Sequence, residues 1–129
     1  MEYGLLVMGA PYTSAAPHSA LRFAKAVISR GHQVAGVFFY QEGIHNASCL
    51  MTPPQDELNM RDAWIALHHE HGVMLDVCIA AALRRGVMSE AEAKRHGQAH
   101  SNLDAPFELT GLGQLLTLQQ RCDRLITFA

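Results

Sequence analysis

Charge is scarce in this chain: Asp, Glu, Lys and Arg make up 17% of its 129 residues, with 10 basic against 12 acidic side chains and a formal charge of −2. Without a basic excess there is little counterion release to drive phosphate-backbone binding, which disfavours stable binding of nucleic acid or an anionic membrane by the chain alone. Long apolar runs are missing too. None approaches the roughly 20 residues that span a bilayer. Met1, Glu2 and Tyr3, ahead of the short apolar run Leu5 to Ala10, lack the basic leader of a signal peptide. A cytoplasmic protein without membrane association is expected. Cysteine is limited to Cys49, Cys78 and Cys122. Three widely separated thiols form neither a disulfide framework nor a CxxC zinc or redox motif, so any thiol chemistry falls to single cysteines. There is no GxSxG elbow and no Walker loop. Gly111-Leu112-Gly113 lacks the third glycine of a dinucleotide fingerprint and comes last rather than after the first strand.

What is present is a globular composition, 49% apolar with ten Gly and five Pro, in a length that suits one domain over residues 1–129. Apolar, β-branched runs alternate with segments of helical period, the signature of successive βα units and of a mostly parallel sheet. Strands are expected at Tyr3 to Met8, Gln33 to Tyr40, Val73 to Ala80, Phe107 to Leu109 and Arg124 to Phe128. Ala20, Phe23, Ala24 and Val27 mark one helix, and Met60, Ala63, Trp64 and Leu67 another, each at i, i+3, i+4, i+7. Gly31 and Gly72 end these two. Ser89 and Glu92 have capping-box spacing for a short helix closed by Gly97, and Thr110 is placed to cap a last helix carrying Leu112, Leu115 and Leu116. Gln41 to Gln55 reads as a long polar loop.

Cys78 sits near the carboxyl end of the third strand, ahead of Ala80, Ala81, Ala82, Leu83, Arg84 and Arg85, a good helix former with two cations. Sites in open α/β sheets gather at strand carboxyl ends, and a thiol near a helix start or an arginine is activated toward thiolate. A cysteine in a Val77-Cys78-Ile79 run is equally at home in a core, so the pattern alone leaves both roles open. Cys49, in the polar loop, and Cys122, before Asp123, are weaker candidates. His68 and His71 share a helix face beside His69 and Glu70, which raises a metal site. No HExxH or CxxC completes a zinc set, and capping of carbonyls by histidines in a last turn is the better reading. Glu42 and Gly43, after the second strand, read as a site edge or a solvated turn.

Four segments together are more specific: Phe38-Phe39-Tyr40-Gln41-Glu42-Gly43, Thr52-Pro53-Pro54-Gln55-Asp56-Glu57, Cys78-Ile79-Ala80-Ala81-Ala82-Leu83-Arg84-Arg85-Gly86 and Thr110-Gly111-Leu112-Gly113. With them the whole chain, in order, resembles the TusD/DsrE family of bacterial sulfur-relay subunits. The resemblance implies a single-domain, three-layer α/β/α fold with a mostly parallel five-stranded sheet. It implies an α2β2γ2 heterohexamer with TusB/TusC-like or DsrF/DsrH-like subunits, and no cofactor. It also implies a sulfurtransferase whose Cys78 takes a persulfide sulfur from a TusA-like donor and passes it to a TusE/DsrC-like acceptor. The pathway ends in 2-thiouridine at the tRNA wobble position, or alternatively in dissimilatory sulfur oxidation. A non-catalytic scaffold with Cys78 as core is the competing class. Arg84 and Arg85 are the candidates for stabilising the thiolate, and the loop from Gln41 to Pro54 for shaping a docking surface.

Overall fold

Parallel pairing needs a long crossover between strands, and the helical segments between the apolar runs supply it. The computed structural model describes residues 1–129. Its strands β1 (Glu2–Val7), β2 (Gln33–Phe39), β3 (Met74–Cys78), β4 (Phe107–Thr110) and β5 (Arg124–Phe128) form one sheet in the order β4-β3-β2-β1-β5. Every pairing is parallel. The connections carry α1 (Ala16–Ser29), a 3₁₀ helix (Gln41–Ala47), α2 (Met60–His71), α3 (Ile79–Arg84), α4 (Glu90–Arg95) and α5 (Leu112–Arg121). The expected α/β/α class and five-stranded parallel sheet are those observed.

Beyond one-residue shifts at strand ends, three features differ from expectation. The polar loop after β2 opens with the 3₁₀ helix. β3 ends at Cys78 rather than Ala80, because the alanine-rich segment that follows is a stronger helix former than strand former. Thr110 does not cap α5: it pairs with Cys78 as the last rung of the β3–β4 ladder, and Gly111 takes the capping position instead. The other punctuation works as read. The Ser89 hydroxyl accepts the Glu92 N–H at 3.3 Å, and Gly72 closes α2 at φ 69°.

The layer arrangement follows from crossover handedness. Steps from β1 to β2, β3 and β4 all run in one direction, so right-handed crossovers put α1, α2 and α3 on one face, while the return from β4 across to β5 puts α5 on the other. On the first face the alternating residues Leu5, Val7, Val37, Phe39, Leu75 and Val77 join Ala20, Ala24, Trp64 and Leu67 in one buried cluster. Phe39 anchors it, edge-on to Trp64 at 5.4 Å and beside Phe107 at 5.9 Å between ring centroids. Truncating such a buried ring costs about 3–5 kcal/mol. On the second face, Gly4 and Gly36 are register partners that let α5 approach. A Cβ on Gly4 would stand 3.0 Å from Leu118, the one buried residue of α5. No helix is long and apolar enough to cross a membrane.

Consecutive crossovers therefore leave opposite faces after β3 and after β4. Between the carboxyl ends of those two strands the chain must open a crevice, the place where ligands bind in open α/β sheets. β3 ends in Cys78, and β4 ends one residue before Gly111.

Candidate functional site

A depression of about 270 Å³ occupies that crevice. Tyr40 follows β2, Cys78 ends β3, Ile79, Ala80 and Arg84 belong to α3, and Leu112 begins α5; together they line it. Cys78 is only 3% exposed, whereas Leu112 at the rim is 51% exposed. The thiol therefore forms part of the lining of a recess rather than standing on the surface, and a reacting group must be inserted to meet it. α3 has six residues, so its dipole is small, and Arg84 is the cation that lines the recess.

Directly after recess-lining Tyr40, the 3₁₀ helix packs against α3 as an adjoining wall, held by contacts at both ends. Arg85 Nε donates to Glu42 Oε1 at 2.8 Å and its Nη1 donates to the Ala81 carbonyl at 3.1 Å. Glu42 Oε2 also lies 3.3 Å from His45 Nε2. The Arg85 hydrogen bond holds the Glu42 carboxyl below its ordinary value of 4.5, with smaller help from the Arg85 and His45 charges, against a partial desolvation penalty. Gly43 is obligatory in this wall, since a Cβ there would run into the carbonyl of Val7. Gln41, beside the recess-lining Tyr40, holds a left-handed backbone at φ 49°, a conformation that only surrounding contacts sustain in a non-glycine residue.

Asn46 is the residue that sequence reasoning missed. It is fully buried, accepts the Trp64 indole N–H at 3.1 Å, and donates to the carbonyls of Gly43 at 2.8 Å and Gly9 at 3.3 Å. One amide thus joins α2, the 3₁₀ wall and the β1–α1 loop. Tyr12 makes a second junction: its hydroxyl donates to the Leu58 carbonyl at 2.8 Å and accepts the Met60 N–H at 3.1 Å. The available signal was a single amide side chain between apolar Ile44 and Ala47, too weak to separate from an ordinary loop residue.

The structure treats the two arginines differently. Arg85 is half-buried and engaged, whereas Arg84 is exposed, enters no ion pair, and lines the recess of Cys78. Thr110, opposite Cys78 in the ladder, has a buried hydroxyl without a partner.

The remaining candidates lie elsewhere. Cys122 precedes the amino end of β5, at the edge of the parallel sheet opposite to Cys78. Cys49 is exposed, its N–H bonded to the Asn102 carbonyl at 2.8 Å, and it does not line the recess. His68 Nδ1 lies 3.0 Å from the Val73 carbonyl, so this ring serves the α2–β3 junction, and His71 pairs with Glu70 at 3.8 Å. No three His, Cys, Asp or Glu side chains are grouped closely enough to hold a metal ion.

Fold and recess together define a class: a small parallel α/β protein with a solitary thiol at its topological switch point. The DsrE/DsrF-like family model matches residues 1–128, and the chain belongs to that family. It is 46% identical over 128 residues to Sulfurtransferase TusD of Salmonella newport (strain SL254), covering 99% of this chain and 100% of that protein. The crystal structure of the ychN protein from E. coli superposes with a TM-score of 0.76 over 99% of this chain and 100% of that one. At 20% identity this second likeness speaks for the fold alone.

Proposed function

We propose that this sulfurtransferase carries a sulfane sulfur as a persulfide on Cys78. The carrying observation is the position of that thiol: at the carboxyl end of β3, in a recess that Arg84 shares and neither other cysteine lines. The Cys78 thiolate attacks the outer sulfur of an incoming persulfide. The donor's S–S bond breaks, the donor leaves as a thiolate, and Cys78 holds the new S–S bond. In the second step an acceptor thiolate attacks the outer sulfur of Cys78, and the Cys78 thiolate is released. Each step exchanges one S–S bond for another, so no oxidant or reductant is consumed. The recess suits such cargo, because a second thiol within reach would attack the persulfide's inner sulfur, close a disulfide and discharge the sulfur as sulfide.

The donor in this reading is a TusA-like protein and the acceptor a TusE/DsrC-like protein, with 2-thiouridine at the tRNA wobble position as the cytoplasmic destination. Dissimilatory sulfur oxidation is the other destination that the same chemistry serves. The reading includes assembly with TusB/TusC-like or DsrF/DsrH-like subunits in a heterohexamer. Met74, at the start of β3, is 42% exposed and offers an apolar side chain for such association.

Mass spectrometry after incubation with a persulfide donor tests the proposal. The peptide containing Cys78 should gain one sulfur atom; Cys78→Ser should abolish the gain while preserving the fold, and Cys49→Ser and Cys122→Ser should leave it intact. The near-complete burial of Cys78 favours one competing reading, a scaffold with a core cysteine, which an unmodified Cys78 peptide would support.

A further inference from the structure

Arg84 borders a second depression, of about 480 Å³, lined by Leu50, Met88, Gln98, His100 and Asn102 among others. Arg84 lines both depressions, so they adjoin at this residue as two parts of one groove. No carboxylate lines either part, although acidic side chains outnumber basic ones in the chain. Glu42, in the adjoining wall, is already committed to Arg85 and His45. An exposed arginine without an ion pair thus stands where the two parts meet, and His100 lines the far one as a further nitrogen donor. The far part is edged by Leu50, 68% exposed, and the near part by Leu112, 51% exposed. A small inorganic anion would satisfy the cation and leave these apolar edges and the larger depression empty. A polypeptide with an acidic residue between apolar ones complements all of them.

We infer that this groove receives an acidic segment of the protein that exchanges sulfur with Cys78, and that Arg84 is the positioning residue that reads its negative charge. The inference rests on the sulfur-carrier reading for its partner. Arg85 holds the wall, and Arg84, its neighbour in sequence, is left free for the guest. Docking on Arg84 would bring the guest's sulfur over the recess and give anionic carriers precedence over neutral or basic thiols.

The test uses the full chain with Cys49→Ser and Cys122→Ser, so that only Cys78 reacts. Two synthetic cysteine peptides, identical except for acidic or basic residues flanking the cysteine, are activated as mixed disulfides with thionitrobenzoate. Attack by the Cys78 thiolate on the peptide sulfur forms the Cys78–peptide disulfide and expels coloured thionitrobenzoate, whose release gives the rate. A charge contact of this kind at a wet surface should favour the acidic peptide about fivefold at low salt, and added salt should erode the preference. Arg84→Gln should abolish the preference, while Lys25→Gln, which removes an exposed cation of α1, should keep it. Equal rates for the two peptides, or a preference that survives Arg84→Gln, would overturn the inference. Persulfide loading of the same protein from a small neutral donor is read in parallel. Loading without a peptide preference sinks the groove alone, and a preference without loading sinks the sulfur-carrier reading alone.

Discussion

In the wall beside Cys78, the Glu42 carboxylate meets an arginine at 2.8 Å and a histidine at 3.3 Å, whereas two residues before Cys78 on β3 the Asp76 carboxylate meets another carboxylate. Asp76 and Glu108 are register partners on β3 and β4, and Asp76 is 8% exposed. Burial, reinforced by the Glu108 charge, pushes its carboxyl above the ordinary value of 3.8. Arg121 borders the same small cavity but is engaged with Glu2 at 3.2 Å. The wall is electrostatically complete within one chain, and the β3–β4 face is not. A nearly buried carboxyl without a cation costs stability in an isolated subunit. The two regions thus differ: one carries its counter-charges within the chain, and the other leaves an acidic pair without one.

The contrast breaks most easily at the wall. Gly43→Ala puts a methyl group, fixed directly to the backbone, into the Val7 carbonyl, and no rotamer relieves it. A loss of about 3 kcal/mol on urea denaturation is expected, at the upper end for overpacking. If stability is unchanged, the 3₁₀ helix is not seated as firmly as the wall requires. Asn46→Ala is next: it strands the Trp64 indole N–H and frees the carbonyls of Gly43 and Gly9, at a cost of about 2 kcal/mol. Because Asn46 ties the wall to α2, the variant should also show faster hydrogen exchange in residues 41–47 than the global loss explains. Uniform exchange would assign Asn46 to the core at large.

Much of this was legible in the sequence because it depends on period and punctuation. The apolar runs mark all five strands, and Gly72 and Ser89 act at α2 and α4 as their types predict. Cys78 as a strand-end thiol follows from the same pattern. What could not be read depends on pairs distant in the chain. Arg84 and Arg85 are equivalent in a string of letters, and only the approach of Glu42 across the β2–β3 edge separates them. Asn46 looks like a loop residue until Trp64 is placed over it. The unpaired Asp76 sits in a strand otherwise read as apolar on both sides, and its meaning depends on Glu108 arriving opposite. The recess itself is likewise assembled from distant parts, with Tyr40 and Leu112 joining Cys78 from beyond two other strands' ends.

The smallest effects sharpen the comparison by their sign. Asp76 has a folded pKa above its unfolded one, so its favourable contribution is fully present below about pH 3.8 and is lost as pH rises through the raised folded value. At neutral pH the ionised group is therefore a liability, and Asp76→Asn should make the isolated chain more stable than the wild type, with the difference closing as the medium is acidified. Glu42 is the reverse case, its folded pKa lying below 4.5. Its contribution is present above the unfolded value and is lost as pH falls through the folded one. Glu42→Gln should therefore destabilise at neutral pH, weakly because the side chain is exposed, and that difference too should vanish in acid. Thermal melts of both variants at neutral pH and near pH 3 provide the comparison: two curves that converge on the wild type from opposite sides. If Asp76→Asn is destabilising at neutral pH, the carboxylate has a partner within its own chain and the β3–β4 face is already complete. If it stabilises the chain alone yet weakens association with the other subunits, the missing cation is one that they bring.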